Sequence, residues 1–119
     1  MSEPATSREQ ATSREQGATR AQGMLRAQGD GRYALSGALT LATVAALRAQ
    51  GRQAFGSGTG PIAVDLTAVE RTDSGGLALL VDWLAWAHTA GRELKFTALP
   101  APLLALARVS DVEDLLAGR

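Results

Sequence analysis

The spacing of apolar and polar positions changes along the chain and separates strands from helices. Glu93-Leu94-Lys95-Phe96-Thr97 alternates, as a half-buried strand does, because successive side chains leave opposite faces. Pro61-Ile62-Ala63-Val64-Asp65-Leu66 is a short apolar run and predicts a central strand, with a polar connection after Asp65. Earlier, Met24–Gln28 and Tyr33–Leu39 flank Asp30-Gly31, a strong hairpin dipeptide. They predict an edge strand and a second strand with Tyr33 and Leu35 on one face. Helical spacing appears at Leu41, Val44, Ala45 and Leu47, with Thr40 as N-cap and Gly51 as stop. A longer helix is predicted from Gly75 to Ala90, with Gly91 in the left-handed position that ends it. Pro100 and Pro102 open a helix through Leu103, Leu104, Leu106 and Ala107. Ser110-Asp111-Val112-Glu113 reads as a capping box before a last helix ending near Gly118. The expected order is β-β-α-β-α-β-α-α, an α/β domain with a small mixed sheet and helices packed mainly on one face.

The long helix carries two apolar stripes. At roughly 100° per residue, Leu77, Leu80, Val81 and Leu84 form one face, the natural core face. Leu79, Trp83, Trp86 and Ala90 gather on nearly the opposite side, where a surface helix should be polar. Large aromatics spaced i, i+3 often belong to a core, and a second helix could cover them. Tryptophan is also enriched at interface hot spots, so the stripe is read as a partner-binding surface. On that reading Trp83→Ala and Trp86→Ala abolish complex formation and leave the melting unchanged. A large loss of stability would place them in the core.

Residues 1–23 contrast with everything after them. Ala5-Thr6-Ser7-Arg8-Glu9-Gln10 repeats at once as Ala11–Gln16 and is echoed from Ala18. The repeats carry no large apolar side chain to offset the entropy of ordering, so a disordered tail is expected before a domain over 24–119. Charge adds exclusions. Twelve basic residues balance twelve acidic ones, against the cationic surface that nucleic acid requires. There is no cysteine and one histidine, His88, which excludes disulfides, thiolate sites and a multi-histidine zinc site from one chain. No apolar run reaches the ~20 residues of a membrane span, and no signal-peptide core is present, so a cytoplasmic protein is expected. The loop Gly56–Gly60 follows a helix and precedes a strand, the reverse of a phosphate-binding loop, and reads as a connection.

Candidate chemistry concentrates at Thr72-Asp73-Ser74-Gly75-Gly76, where the central strand hands over to the long helix. A helix start offers free N–H groups and partial positive charge. Asp73 or Ser74 capping that helix accounts for both residue types. Gly75 and Gly76 weaken a first turn, and are read as leaving backbone bare so that another surface approaches the Ser74 hydroxyl. The same hydroxyl could accept phosphate in the field of the helix start. A hydrolase is a poor fit, because His88 lies roughly 21 Å along the same helix from Ser74. Asp65 and Asp73 are joined by nothing with ligand spacing, so no metal or cofactor is expected.

Asp65-Leu66 followed by Asp73-Ser74-Gly75-Gly76-Leu77-Ala78-Leu79-Leu80, with Ala34-Leu35-Ser36-Gly37 as second strand, resembles the STAS domains of sulfate transporters and anti-sigma factor antagonists. Within that family the pattern is most similar to the MlaB-like branch, whose hydroxyl position is Thr or Ser. The resemblance extends, more loosely, from about Met24 to Leu116. It implies a non-enzymatic subunit of a phospholipid ABC transporter that docks on the ATPase subunit and supports its assembly and activity. Such a subunit lies peripheral to the inner membrane through its partner and does not insert itself. Anti-sigma factor antagonists carry a phosphorylated serine here, usually followed by a second serine. This chain has Gly75 there, which favours the transporter branch and leaves phosphorylation of Ser74 as the alternative. The expected contact residues are Thr72, Asp73, Ser74, Gly75, Gly76, Leu79, Trp83 and Trp86.

Overall fold

The structure, a computed structural model, describes residues 23–116. The tail expected over 1–23 lies outside the described residues apart from Gly23, as does the end of the last helix beyond Leu116. Strands β1 (Gly23–Gly29) and β2 (Arg32–Leu39) form an antiparallel hairpin. Its turn is Asp30-Gly31, with φ of 55° and 75°, the pair of positive values that matches the twist of the flanking strands. Helix α1 (Val44–Gly56) crosses to β3 (Ile62–Thr72), α2 (Ser74–Thr89) to β4 (Leu94–Thr97), and α3 (Ala101–Val109) and α4 (Glu113–Leu116) follow. The order agrees with the sequence expectation. The sheet runs β1-β2-β3-β4, with β2, β3 and β4 parallel.

Alternation places Leu35, Ile62, Val64, Leu66, Leu94 and Phe96 on one face, all buried. Helix residues Leu47, Phe55, Leu77, Leu80, Trp83 and Leu103 complete this core. Ala34, Asp65, Lys95 and Thr97 alternate with the buried positions on their strands and are exposed or half-buried.

Strand β3 is longer than its sequence suggested, continuing past Asp65 to Thr72. Pairing with β2 explains the difference. Ala34 and Ser36 of β2 face Asp65 and Ala68, and Gly37 and Ala38 face Val69 and Arg71, so β3 twice carries an extra residue. Each bulge shifts the phase of the side chains. After Ile62, Val64 and Leu66, the next residue packed on the core is Val69. Period two is lost, and the segment no longer reads as a strand.

Helix α1 is also displaced from its expected span. Thr40–Thr43 form a turn, with the Thr43 N–H donating to the Thr40 carbonyl (3.0 Å) and the Thr43 hydroxyl to the Ala38 carbonyl (2.9 Å). The helix then starts at Val44 and runs through Gly51 to Gly56. Gly51 therefore lies inside the helix and does not end it. A β-carbon there would collide with the Trp83 indole, so α1 meets α2 at a residue whose missing side chain leaves room for the ring.

The other helix ends follow from local chemistry. Gly91, at φ 69°, closes α2: its N–H reaches the His88 carbonyl (3.2 Å) and the Arg92 N–H the Ala87 carbonyl (2.8 Å). Asp111, at φ 61°, does the same for α3, with Val112 N–H bonded to the Ala107 carbonyl (2.9 Å). This changes the role expected for Ser110–Glu113: the Glu113 carboxylate accepts from Arg108 Nε (2.6 Å) across that turn. The Arg92 guanidinium bonds the Phe55 carbonyl at the end of α1 and the Gly60 carbonyl (2.8 Å).

Candidate functional site

The corner between β3 and α2 is assembled by Asp73. Its backbone is extended, and its carboxylate accepts the Gly75 N–H (2.7 Å), capping α2. The same carboxylate accepts the Leu41 N–H at 3.0 and 3.3 Å, holding the β2–α1 turn against the helix start. Asp73 N–H in turn donates to the Leu39 carbonyl (3.3 Å). Ser74 opens α2 and is exposed.

Gly75 and Gly76 do not present bare backbone. Both are buried. A β-carbon on Gly75 would strike the Leu41 backbone, and one on Gly76 the Leu39 carbonyl and the Thr72 side chain. The surface that approaches these glycines belongs to the same chain, and the pair is required for the β2–α1 turn to close over α2.

The tryptophan face is corrected as well. Leu79 and Trp83 are fully buried, and α1 covers Trp83 through Gly51 and Phe55. Phe55 meets Trp83 edge-on at 5.2 Å and Tyr33 at 5.0 Å, and the Tyr33 hydroxyl donates to the Ala54 carbonyl (3.1 Å). The Trp83 indole N–H is buried without a hydrogen-bond partner among the described residues. Trp86 is half-buried, 5.9 Å from Phe55 and beneath the Arg92 guanidinium. The stripe that begins at Leu79 is therefore a helix–helix seam, and it does not continue the Ser74 corner.

Against Asp73 and Gly75 the structure places Leu41, which the helical spacing of Leu41, Val44, Ala45 and Leu47 had put within the first helix. Leu41 is 73% exposed, and with Ala38, Thr40, Ala42, Arg71 and Asp73 it lines a shallow groove. Two threonines flank Leu41 and Ala42; taking Thr43 instead of Thr40 as N-cap would have left Leu41 outside the helix. Thr72 is half-buried, its hydroxyl oxygen buried and unpartnered among the described residues.

Asp65 has a structural occupation. Its carboxylate accepts the Thr67 hydroxyl (2.5 Å) and the Thr67 N–H (2.9 Å), and the hydroxyl and then the amide bond hold its pKa below the ordinary 3.8. Asp82, on the α1 side of α2, pairs with Arg48 (3.4 Å) and Arg52 (3.2 Å). Among the described residues, no group of three or more His, Cys, Asp or Glu could hold a metal ion. No described helix is long and apolar enough to cross a membrane.

The anti-sigma factor antagonist SpoIIAA, in its unphosphorylated form, superimposes with a TM-score of 0.55 at 16% identity, over 76% of this chain and 82% of that one. The murine anion transporter Slc26a9 matches with a TM-score of 0.62 at 14% identity; 83% of this chain covers a fifth (20%) of that one. At such identities the likeness is one of fold. No curated protein matches the chain. A family model described as "Mlab, STAS domain" matches residues 19–117, which takes in every described strand and helix together with the Asp73-Ser74-Gly75-Gly76 corner, and the chain belongs to that family.

Proposed function

We propose that the chain is a non-enzymatic binding subunit of a phospholipid ABC transporter, docking on its cytoplasmic ATPase subunit and supporting that subunit's assembly and activity. The observation that carries the reading is the corner itself. One buttressing carboxylate, Asp73, caps the helix that the exposed Ser74 opens and also holds the backbone N–H of Leu41, which is 73% exposed. An apolar side chain on a turn held by these backbone hydrogen bonds suits a protein partner, since little loop freedom remains to be lost on association. The contact surface on this reading is Leu41, Arg71, Thr72 and Ser74, with Trp86 at the far end of α2 outside it. Localisation at the inner membrane follows from the partner.

The test is copurification of the full chain with a candidate ATPase subunit. A complex of fixed stoichiometry that Leu41→Asp dissolves supports the reading; a chain that elutes alone contradicts it. A second reading, an anti-sigma factor antagonist, is favoured by the exposure of Ser74 at the start of α2 and by the SpoIIAA-like fold. Gly75 in place of a second serine weighs against it. Incubation with a candidate kinase and ATP, followed by intact mass, decides: stoichiometric phosphate on Ser74 would replace the transporter reading.

A further inference from the structure

Strand β3 is paired on its β4 side only from Ile62 to Asp65. Beyond that it continues to Thr72 against β2 alone. A strand end without a neighbour presents backbone N–H and C=O groups to whatever extended chain approaches. Two residues past the pairing, the Thr67 N–H is satisfied locally by donating to the Asp65 carboxylate. Ala68, Val69, Glu70 and Arg71 follow, and among the described residues no strand pairs with them on that side.

The chain turns away at this place instead of extending β4. Ala98 directly follows β4 and has φ 57°, a left-handed conformation that an alanine adopts under strain. Pro100 and Pro102, which have no N–H to offer, then form the far wall of a groove whose near wall is Val69, Glu70, Arg71 and Thr72. The two bulges of β3 twist this edge, a device that suppresses indiscriminate sheet growth and leaves room for a short, matched segment. Glu70 and Arg71 are exposed and form no ion pair among the described residues, which gives the edge an acidic and a basic position in succession.

We propose that the β3 edge at Ala68–Arg71 receives an extended segment of the docked ATPase subunit, which adds a short strand to the sheet where β4 has ended. This rests on the docking reading above. The groove runs into Thr72, one residue from Asp73, so one partner can occupy the corner and the edge together. Main-chain pairing supplies the contact, and the matching segment places a basic residue opposite Glu70 and an acidic one opposite Arg71.

Amide hydrogen exchange on the unmodified full chain tests this, alone and with a purified ATPase subunit of a phospholipid ABC transporter. The expected result is exchange at Ala68–Arg71 slowed about tenfold or more in the complex, together with the segment around Leu41. Glu70→Lys, with melting unchanged, should raise Kd several-fold, to about tenfold at most. A complex that protects Leu41 and Ser74 but leaves Ala68–Arg71 unchanged overturns the edge proposal and keeps the docking reading. Protection of the edge that grows with the chain's own concentration, without the ATPase subunit, assigns it to a second copy and overturns the proposal equally. Failure to form any complex removes both.

Discussion

Trp83 and Gly51 show how much a single pair of residues decides. The indole is fully buried, and it lies where a β-carbon on Gly51 would have to be. Glycine in a helix interior costs about 0.5–1 kcal/mol relative to alanine. That penalty is offset because α1 and α2 approach closely enough to seal Trp83, Leu79 and Phe55. Gly51→Ala should therefore destabilise the domain by about 1–3 kcal/mol, the range for overpacking a filled site, although alanine is the better helix former. Trp83→Ala should remove about 3–5 kcal/mol by leaving a cavity. Denaturant melts of the two single variants and of the double variant Gly51→Ala with Trp83→Ala form a cycle in which the losses are less than additive. Additive losses would mean that the two residues do not share a site.

At the level of the elements, the start of α2 depends on Asp73. It caps the helix and fastens the β2–α1 turn, so Asp73→Ala should cost about 0.5–2 kcal/mol, with Asp73→Asn retaining much of the cap. The same alanine variant should speed amide exchange at Leu41 while exchange within β2 holds. Equal acceleration in both would show that the carboxylate does not organise the turn specifically. Strand β3 carries a second element-scale device in Asp65, whose carboxylate is stabilised as the anion by Thr67. Its folded pKa lies below the unfolded value, so its contribution is fully present above the ordinary 3.8 and is lost as pH falls through the lower folded value. Asp65→Asn can still accept the Thr67 N–H but cannot titrate. Acid melts of that variant should decline less steeply below about pH 4 than those of the native chain. Parallel curves would show that Asp65 contributes no pH dependence.

Across the whole molecule, the helices occupy one side of the sheet and the Ser74 corner sits at the end where β2 and β3 finish. Its exposed parts come from two connections distant in sequence, Leu41 after β2 and Ser74 after β3. The chain spends little folding energy on Leu41, so Leu41→Ala should change stability by no more than about 0.5 kcal/mol. If the corner docks a partner, the same substitution should lower the yield of complex in copurification. A variant that melts early and also fails to bind would speak only of folding; one that melts normally and binds normally would remove Leu41 from the contact.

Much of this architecture was legible in the residue pattern. The hairpin at Asp30-Gly31, the alternation of β4, the Gly91 stop of α2 and the order of elements all arise from interactions between near neighbours in sequence. The Asp73-Ser74-Gly75-Gly76 junction was legible for the same reason, since a cap acts within one turn of its helix. What the pattern could not settle was which apolar face of α2 meets solvent. Trp83 has the same hydrophobicity whether covered by a partner or by α1, and the crossing of α1 at Gly51 is what covers it. The extension of β3 was hidden likewise, because its bulges are defined by pairing with β2 and shift the side-chain phase on which a strand is recognised. Local chemistry thus dictates where elements begin and end; contacts between elements far apart in the chain dictate which surface is left to bind.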